Sequence, residues 1–109
     1  MLNDFEIKNG TLLKYHGTNA DVVIPNEVIE IGDSAFEKCT SLVTVTISDR
    51  VTQVGQNAFF KCINLKSINI LSDGLQMIGD SAFQGCTSLR YVELSKNLLV
   101  IGDAAFRGT

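Results

Sequence analysis

Tryptophan is absent from this sequence, and proline and histidine each occur only once in 109 residues. No apolar run approaches the roughly 20 residues that a membrane-spanning helix needs. The nine lysines and arginines are spread along the chain, so the basic stripe that nucleic-acid backbones require is missing. We therefore expect neither membrane insertion nor nucleic-acid binding.

The N-terminus also lacks the pattern of an export signal. Asp4 and Glu6 stand where a signal peptide has its basic region, and no apolar segment follows them. The chain as written carries no address to a membrane or a secretion pathway. A longer exported protein that contains it stays an open alternative.

Catalytic and metal-binding patterns are missing too. The single histidine, His16, has no nucleophile at a useful spacing, and its position in a loop predicts an exposed side chain. Asp33, Asp80 and Asp103 recur once per repeat, but Gln56 interrupts the series, which favours turn capping over calcium binding. The glycines occur singly and do not form a phosphate-binding loop. We expect no enzyme activity, no cofactor and no metal.

Internal repetition is what the sequence has in abundance. An aliphatic residue followed by glycine recurs at steps of 23, 24 and 23 residues. Ala-Phe follows each glycine, and then come cysteine, leucine and an alternating aliphatic pair at fixed spacing. These positions are filled in one complete unit by Ile31, Gly32, Ala35, Phe36, Cys39, Leu42, Val45 and Ile47. One unit is too short to bury its own apolar face, so the pattern predicts stacked coils of a solenoid.

The single step of 24 residues has a local cause. The interval from Ile70 to Leu75 is one residue longer than the interval from Ile47 to Val51. The extra residue lies in Ser72-Asp73-Gly74, a turn-forming triplet. An insertion confined to a turn is typical of a coil with a fixed core and tolerant corners.

Each coil is predicted to contain short strands and one turn. Val45-Thr46-Ile47 alternates apolar and polar residues, as a half-buried strand does, and equivalent strands should pair in parallel at about 4.8 Å. A second short strand is predicted near Val51 to Val54. The residues after each glycine, such as Asp33-Ser34, are cap-type residues that predict a single helical or 3-10 turn. The predicted fold class is therefore a β-rich α/β solenoid.

The two ends of the chain depart from the repeat. Residues 1–18 carry a strong hairpin signal at Asn9-Gly10 and are predicted to form an N-terminal β-hairpin cap. Residues 19–109 are predicted to form the repeats, the last of which is incomplete. Two interpretations of that end stay open: a fragment or truncation with no special role, or an edge that self-associates into a homo-oligomer.

Cys39, Cys62 and Cys86 share one repeat position and lie 23 and 24 residues apart. Zinc sites use close pairs such as Cys-x-x-Cys, which this spacing does not offer. The cysteines should stack as a buried column of small apolar side chains. A chance disulfide between neighbours, or a metal site, is the alternative interpretation.

The combined motif Ile-Gly-x-x-Ala-Phe-x-x-Cys-x-x-Leu-x-x-Val-x-Ile resembles the BspA-type leucine-rich repeat. The segment from Phe5 to Gly17, followed by Val22-Val23-Ile24-Pro25, is similar to the cap and first strand of that family. The resemblance implies a right-handed solenoid with a parallel sheet on one face. It also implies a non-catalytic binding role, commonly adhesion, in secreted or cell-surface proteins.

A candidate partner-binding face follows from the two-residue alternation of the strands. Tyr91 is the only aromatic residue among the outward positions, and Arg90 precedes it; tyrosine and arginine are enriched in binding hot spots. The predicted face consists of Thr44, Thr46, Ser67, Asn69, Arg90, Tyr91 and Glu93. A protein or a glycan is the expected partner. The alternatives are a merely solvated face and a structural unit that assembles through its C-terminal edge.

Overall fold

Two parallel stacks of short strands form the walls of this chain. The computed structural model describes residues 4–70, 74–94 and 96–109, which form a β-solenoid of about four turns. The strands are β1 (Phe5–Lys8), β2 (Thr11–Tyr15), β3 (Asp21–Val23), β4 (Glu30–Ile31), β5 (Thr44–Ile47), β6 (Gln53–Val54), β7 (Ser67–Ile70), β8 (Met77–Ile78), β9 (Tyr91–Val92) and β10 (Val100–Ile101).

The strands pair into two sheets, one on each side of the coil. The six-stranded sheet has the order β1-β2-β4-β6-β8-β10, and the four-stranded sheet has the order β3-β5-β7-β9. All neighbours are parallel except β1 and β2. In the four-stranded sheet Val45 pairs with Ile68, which pairs with Val92. Equivalent repeat positions therefore lie side by side, as the stacked-coil prediction requires.

The core is one continuous column between the sheets. Its largest fully buried side chains are Phe36, Phe59, Leu12, Ile24, Ile31, Leu42, Ile47, Leu65, Ile68, Leu75, Ile78 and Val28. Each side chain buried in this way stabilises the fold by about 1.5–3 kcal/mol. The rings of Phe36, Phe59 and Phe83 stack at centroid distances of 4.9 and 5.1 Å, so the coils hide their apolar faces against one another.

The predicted single helical or 3-10 turn, and with it the α/β character of the fold, was wrong. No helix occurs in the ranges that the structure describes. The N–H of Ala35 donates to Gly32 O at 3.2 Å within its own coil, whereas the N–H of Phe36 donates to Ala58 O at 2.7 Å in the next coil. Left-handed residues such as Ser34 (φ 59) and Lys38 (φ 58) recur every four residues in this segment. These left-handed conformations prevent a continuous helix. Every second backbone N–H in the segment therefore donates a hydrogen bond to a carbonyl of the neighbouring coil.

Residues 5–15 form an antiparallel hairpin that continues the coil stack. Asn9 (φ 51) and Gly10 (φ 80) both have positive φ at its turn, as a two-residue type I′ turn requires. Strand β2 also pairs in parallel with β4, and Leu12 is the register partner of Ile31. The hairpin thus shares the six-stranded sheet. Its role as a cap, the division at residue 18 and the right-handed coil stay predictions.

Two sequence predictions fall outside the described ranges. Residues 1–3 belong to the predicted cap, and Ser72-Asp73 belongs to the predicted insertion. Around the insertion the six-stranded sheet keeps its order, because Gln53 pairs with Met77 and Met77 pairs with Val100.

Candidate functional site

The outer surface of the four-stranded sheet carries the predicted partner-binding residues. Its strands alternate as expected: Val45 and Ile47 are buried, and Thr44 and Thr46 are half-exposed. The register aligns the outward residues in two rows. The first row is Asp21, Thr44, Ser67 and Tyr91, and the second row is Val23, Thr46 and Asn69. We call these two rows, with Lys66, Arg90 and Glu93 at their margins, the sheet face.

The strands of this face carry five of the seven predicted site residues, and the other two, Arg90 and Glu93, flank its last strand. Thr44 and Thr46 lie on β5, Ser67 and Asn69 lie on β7, and Tyr91 begins β9. Arg90 immediately precedes β9, and Glu93 immediately follows it. That these residues bind a partner stays a prediction.

Hydrogen bonds hold the two ends of the face. Thr44 Oγ1 donates to Asp21 Oδ1 at 2.7 Å across neighbouring strands. Tyr91 Oη donates to Glu93 Oε2 at 3.2 Å within one strand end. The Tyr91 side chain is nevertheless 57% exposed, and its register partner in the neighbouring strand is the small polar residue Ser67. A flat ring beside hydroxyl, amide and carboxylate groups is an arrangement that can bind and orient a ligand.

Sequence reasoning missed Lys66 as a member of this face. Lys66 immediately precedes β7, as Arg90 precedes β9, and Arg90 N–H donates to Lys66 O at 3.0 Å. Both side chains are exposed. The shared repeat position of these two cations was the signal that could have identified Lys66.

The repeated aspartates act between coils. Asp33 Oδ1 accepts the N–H of Gln56 at 2.9 Å, and Asp80 Oδ1 accepts the N–H of Asp103 at 2.7 Å. Each carboxylate thus joins its own turn to the next coil. In the described part of the chain no group of three or more His, Cys, Asp or Glu side chains is arranged to hold a metal ion.

The three cysteines are free thiols in one column. Cys62 and Cys86 are fully buried, and Cys39 is half-buried. Cys62 Sγ donates to Phe36 O at 3.0 Å, and Cys86 Sγ donates to Phe59 O at 3.0 Å, each in the preceding coil. Burial raises the pKa of Cys39, against the opposing charge of Lys14. The hydrogen bond between Cys62 and Cys86, together with burial, raises the pKa of Cys62, and the same hydrogen bond lowers the pKa of Cys86. Cys62 and Cys86 therefore serve as small buried donors.

An open cavity of about 280 Å³ lies beside the sheet face, against the last described coil. Its lining consists of Leu89, Arg90, Tyr91, Val92, Leu94, Phe106 and Thr109. In the preceding coil the residues equivalent to Leu89 and Val92 are Leu65 and Ile68, which the next coil buries completely. The cavity therefore adjoins two of the predicted site residues, Arg90 and Tyr91.

Within the described ranges, no helix has the length and apolar character needed to cross a bilayer.

The stacked coils and paired parallel sheets define a repeat protein of the solenoid class. The family model described as "BspA type Leucine rich repeat region (6 copies)" matches residues 7–109. The chain therefore belongs to the BspA-type leucine-rich repeat family, which confirms the resemblance seen in the sequence. The match begins at residue 7, inside the N-terminal hairpin, and it therefore includes β2. This agrees with the structure, in which β2 pairs in parallel with β4 of the first coil.

Solved structures of bacterial leucine-rich repeat proteins are similar to this chain. A leucine-rich repeat protein of T. pallidum is 30% identical with a TM-score of 0.79, over 89% of this chain and 58% of that one. A leucine-rich cell surface protein of Faecalibacterium prausnitzii is 30% identical with a TM-score of 0.85, over 95% of this chain and 32% of that one.

A leucine-rich repeat protein of Bacteroides ovatus is 28% identical with a TM-score of 0.81, over 99% of this chain and 32% of that one. This chain thus spans less than two thirds of the length of each of these three structures. A comparison with curated proteins gives no match.

Proposed function

We propose that this chain is a non-catalytic binding module whose partner docks on the sheet face. The observation that carries the proposal is Tyr91, a ring that is 57% exposed at the end of a row of small polar side chains. Burying an exposed tyrosine stabilises a complex by removing apolar area from water while its hydroxyl keeps a hydrogen bond. Tyr91 and Arg90 supply the anchors of the proposed interface.

A location at the cell surface, with a role in adhesion, is part of this proposal. The F. prausnitzii relative is described as a leucine-rich cell surface protein. A scaffold whose outward residues vary while its core positions stay fixed suits binding to external molecules. A protein or a glycan is the proposed kind of partner.

Tyr91→Ala tests the proposal once a partner has been captured. We expect its affinity to fall at least tenfold, because truncation of a central aromatic residue costs about 2 kcal/mol or more. Tyr91→Phe, which keeps the ring, should retain most of the affinity. Met77→Ala on the six-stranded sheet is the matched control, since Met77 is also an exposed apolar residue. Unchanged binding by Tyr91→Ala and by Thr46→Glu would show that the partner docks elsewhere.

Assembly through β9 and β10 is the second candidate function. Ile101 is 49% exposed, whereas its counterparts Val54 and Ile78 are each 1% exposed. Either a further coil of a longer chain or a second molecule would cover such residues, and the second case gives a homo-oligomer. Light scattering over a concentration series distinguishes the two functions, because a strict monomer at all concentrations removes the assembly function.

A further inference from the structure

Two cations of the sheet face lie side by side in consecutive coils. Lys66 and Arg90 each immediately precede a strand, and their backbones are joined by the Arg90 N–H to Lys66 O hydrogen bond of 3.0 Å. The two earlier coils have Ala20 and Val43 at this position. The positive charge is therefore confined to the half of the sheet face that contains Tyr91.

In the ranges that the structure describes, no carboxylate forms an ion pair with Lys66 or Arg90. The ion pair between His16 and Glu6, at 2.9 Å, lies away from them at the N-terminal hairpin. Glu93, the acid on the same strand end, accepts the Tyr91 hydroxyl at 3.2 Å. Like charges on neighbouring strands repel each other, and the chain as a whole carries a net charge of −3. A local positive charge of this kind is complementary to an anionic partner.

The rest of the sheet face decides what kind of anion fits. A peptide binds most sheet proteins along a free strand edge, with pockets for alternate side chains. The edge strands of this sheet in the described ranges are β3 and β9. The backbone of β7 is paired on both sides, so a ligand on the outer surface beside Ser67 and Asn69 must bind through side chains, which are small and polar there. Hydroxyl and amide groups beside an exposed ring suit a sugar, because a sugar ring stacks on tyrosine while its hydroxyls form hydrogen bonds.

We infer that the Tyr91 half of the sheet face binds an acidic glycan, with its carboxylate or sulfate groups at Lys66 and Arg90 and a sugar ring on Tyr91. Consecutive strands lie about 4.8 Å apart, which is close to the length of one sugar unit. Anionic groups on successive sugars can thus meet successive coils. Two cations are too few for the multiple phosphate contacts of nucleic-acid binding. This inference rests on the proposed function and narrows its partner.

The test uses the intact chain and a heparin-derived hexasaccharide as the probe, with binding measured by titration calorimetry. Lys66→Gln/Arg90→Gln should weaken binding about tenfold, since two exposed charge contacts together contribute on the order of that factor. Lys38→Gln/Lys61→Gln is the matched control, because it removes two exposed cations of consecutive coils from the turn segment instead. The control should change affinity by less than about twofold. Equal losses from both double variants would show non-specific attraction and overturn the inference.

Two further ligands separate the inference from the proposed function. A neutral cellohexaose should bind at least tenfold more weakly than the acidic hexasaccharide. A polyglutamate peptide should also bind more weakly, and tighter binding of that peptide would overturn the choice of a glycan. Absence of hexasaccharide binding also overturns the inference. The proposed function survives that result if Tyr91→Ala and Arg90→Gln each still weaken binding of a captured partner, to which Lys66→Gln binds normally.

Discussion

The ring of Tyr15 lies 5.1 Å from the ring of Phe36, in the position that phenylalanine fills in each later coil. The backbone repeats the same relationship: Tyr15 N–H donates to Ala35 O at 2.9 Å, as Phe36 N–H donates to Ala58 O at 2.7 Å. Tyr15 is itself followed on the other side by Phe5, at 5.2 Å. The hairpin is therefore in register with the coils, and one aromatic column runs through both.

Phe59→Ala should destabilise the fold by about 3–5 kcal/mol, because it removes a fully buried ring and leaves a cavity between two coils. Phe60→Ala is the matched control one residue away, since Phe60 is only half-buried. Its effect should be about 1 kcal/mol or less. Urea denaturation followed by circular dichroism measures both values. Similar losses would mean that the aromatic column is not the main support of the stack.

Gly79→Ala should destabilise the fold by about 1–3 kcal/mol through overpacking. A Cβ at this position would lie 2.7 Å from the Gly55 carbonyl carbon and 2.7 Å from the Gln56 nitrogen, both backbone atoms of the preceding coil. Gly108→Ala separates this cost from backbone strain. There a Cβ meets nothing closer than 3.8 Å, but φ is +74. Thermal denaturation should show the larger loss for Gly79→Ala, and the reverse order would contradict the close-approach explanation.

Ala104→Asn should stabilise the protein by several tenths of a kcal/mol. Ala104 has φ 59, and its counterpart in an earlier coil is Asn57 with φ 56. Asparagine tolerates this left-handed conformation better than alanine does. Asn57→Ala is the reciprocal variant and should lose a similar amount. Denaturant midpoints measured on the two variants should move in opposite directions, and a shift in the same direction would refute the explanation.

Iodoacetamide should label Cys39 before Cys62 and Cys86 in the native protein, because only Cys39 is partly accessible. Mass spectrometry of digested samples locates the label, and Cys39→Ser should abolish the early reaction. Burial raises the pKa of the Cys39 thiol, so the unfolded chain ionises this thiol at lower pH than the folded chain does. The Cys39 contribution to stability is thus complete below the unfolded pKa and declines as pH rises above about 9. Stability that increased over that range would show the opposite shift.

The repeat spacing was enough to predict the stacked coils, because the apolar positions alone require a shared core. The helical turn was predicted wrongly, because a sequence does not show which coil accepts a given amide. Asp33 is of a residue type that commonly caps a helix, yet its carboxylate accepts a hydrogen bond from the N–H of Gln56 in the next coil. The alternation of inward and outward residues along a strand predicted that Tyr91 faces outward. Lys66 precedes its strand, so the alternation makes no prediction for it.

Every parallel strand pair in the described part of this solenoid joins strands of adjacent coils. A pulling force applied to the two ends would therefore act on a series of similar short strand pairings, and it would release one coil at a time. Each released coil of 23 residues would lengthen the chain by about 80 Å when fully extended. A tether built of such coils yields in small equal steps and absorbs a load without losing the coils that are still wound.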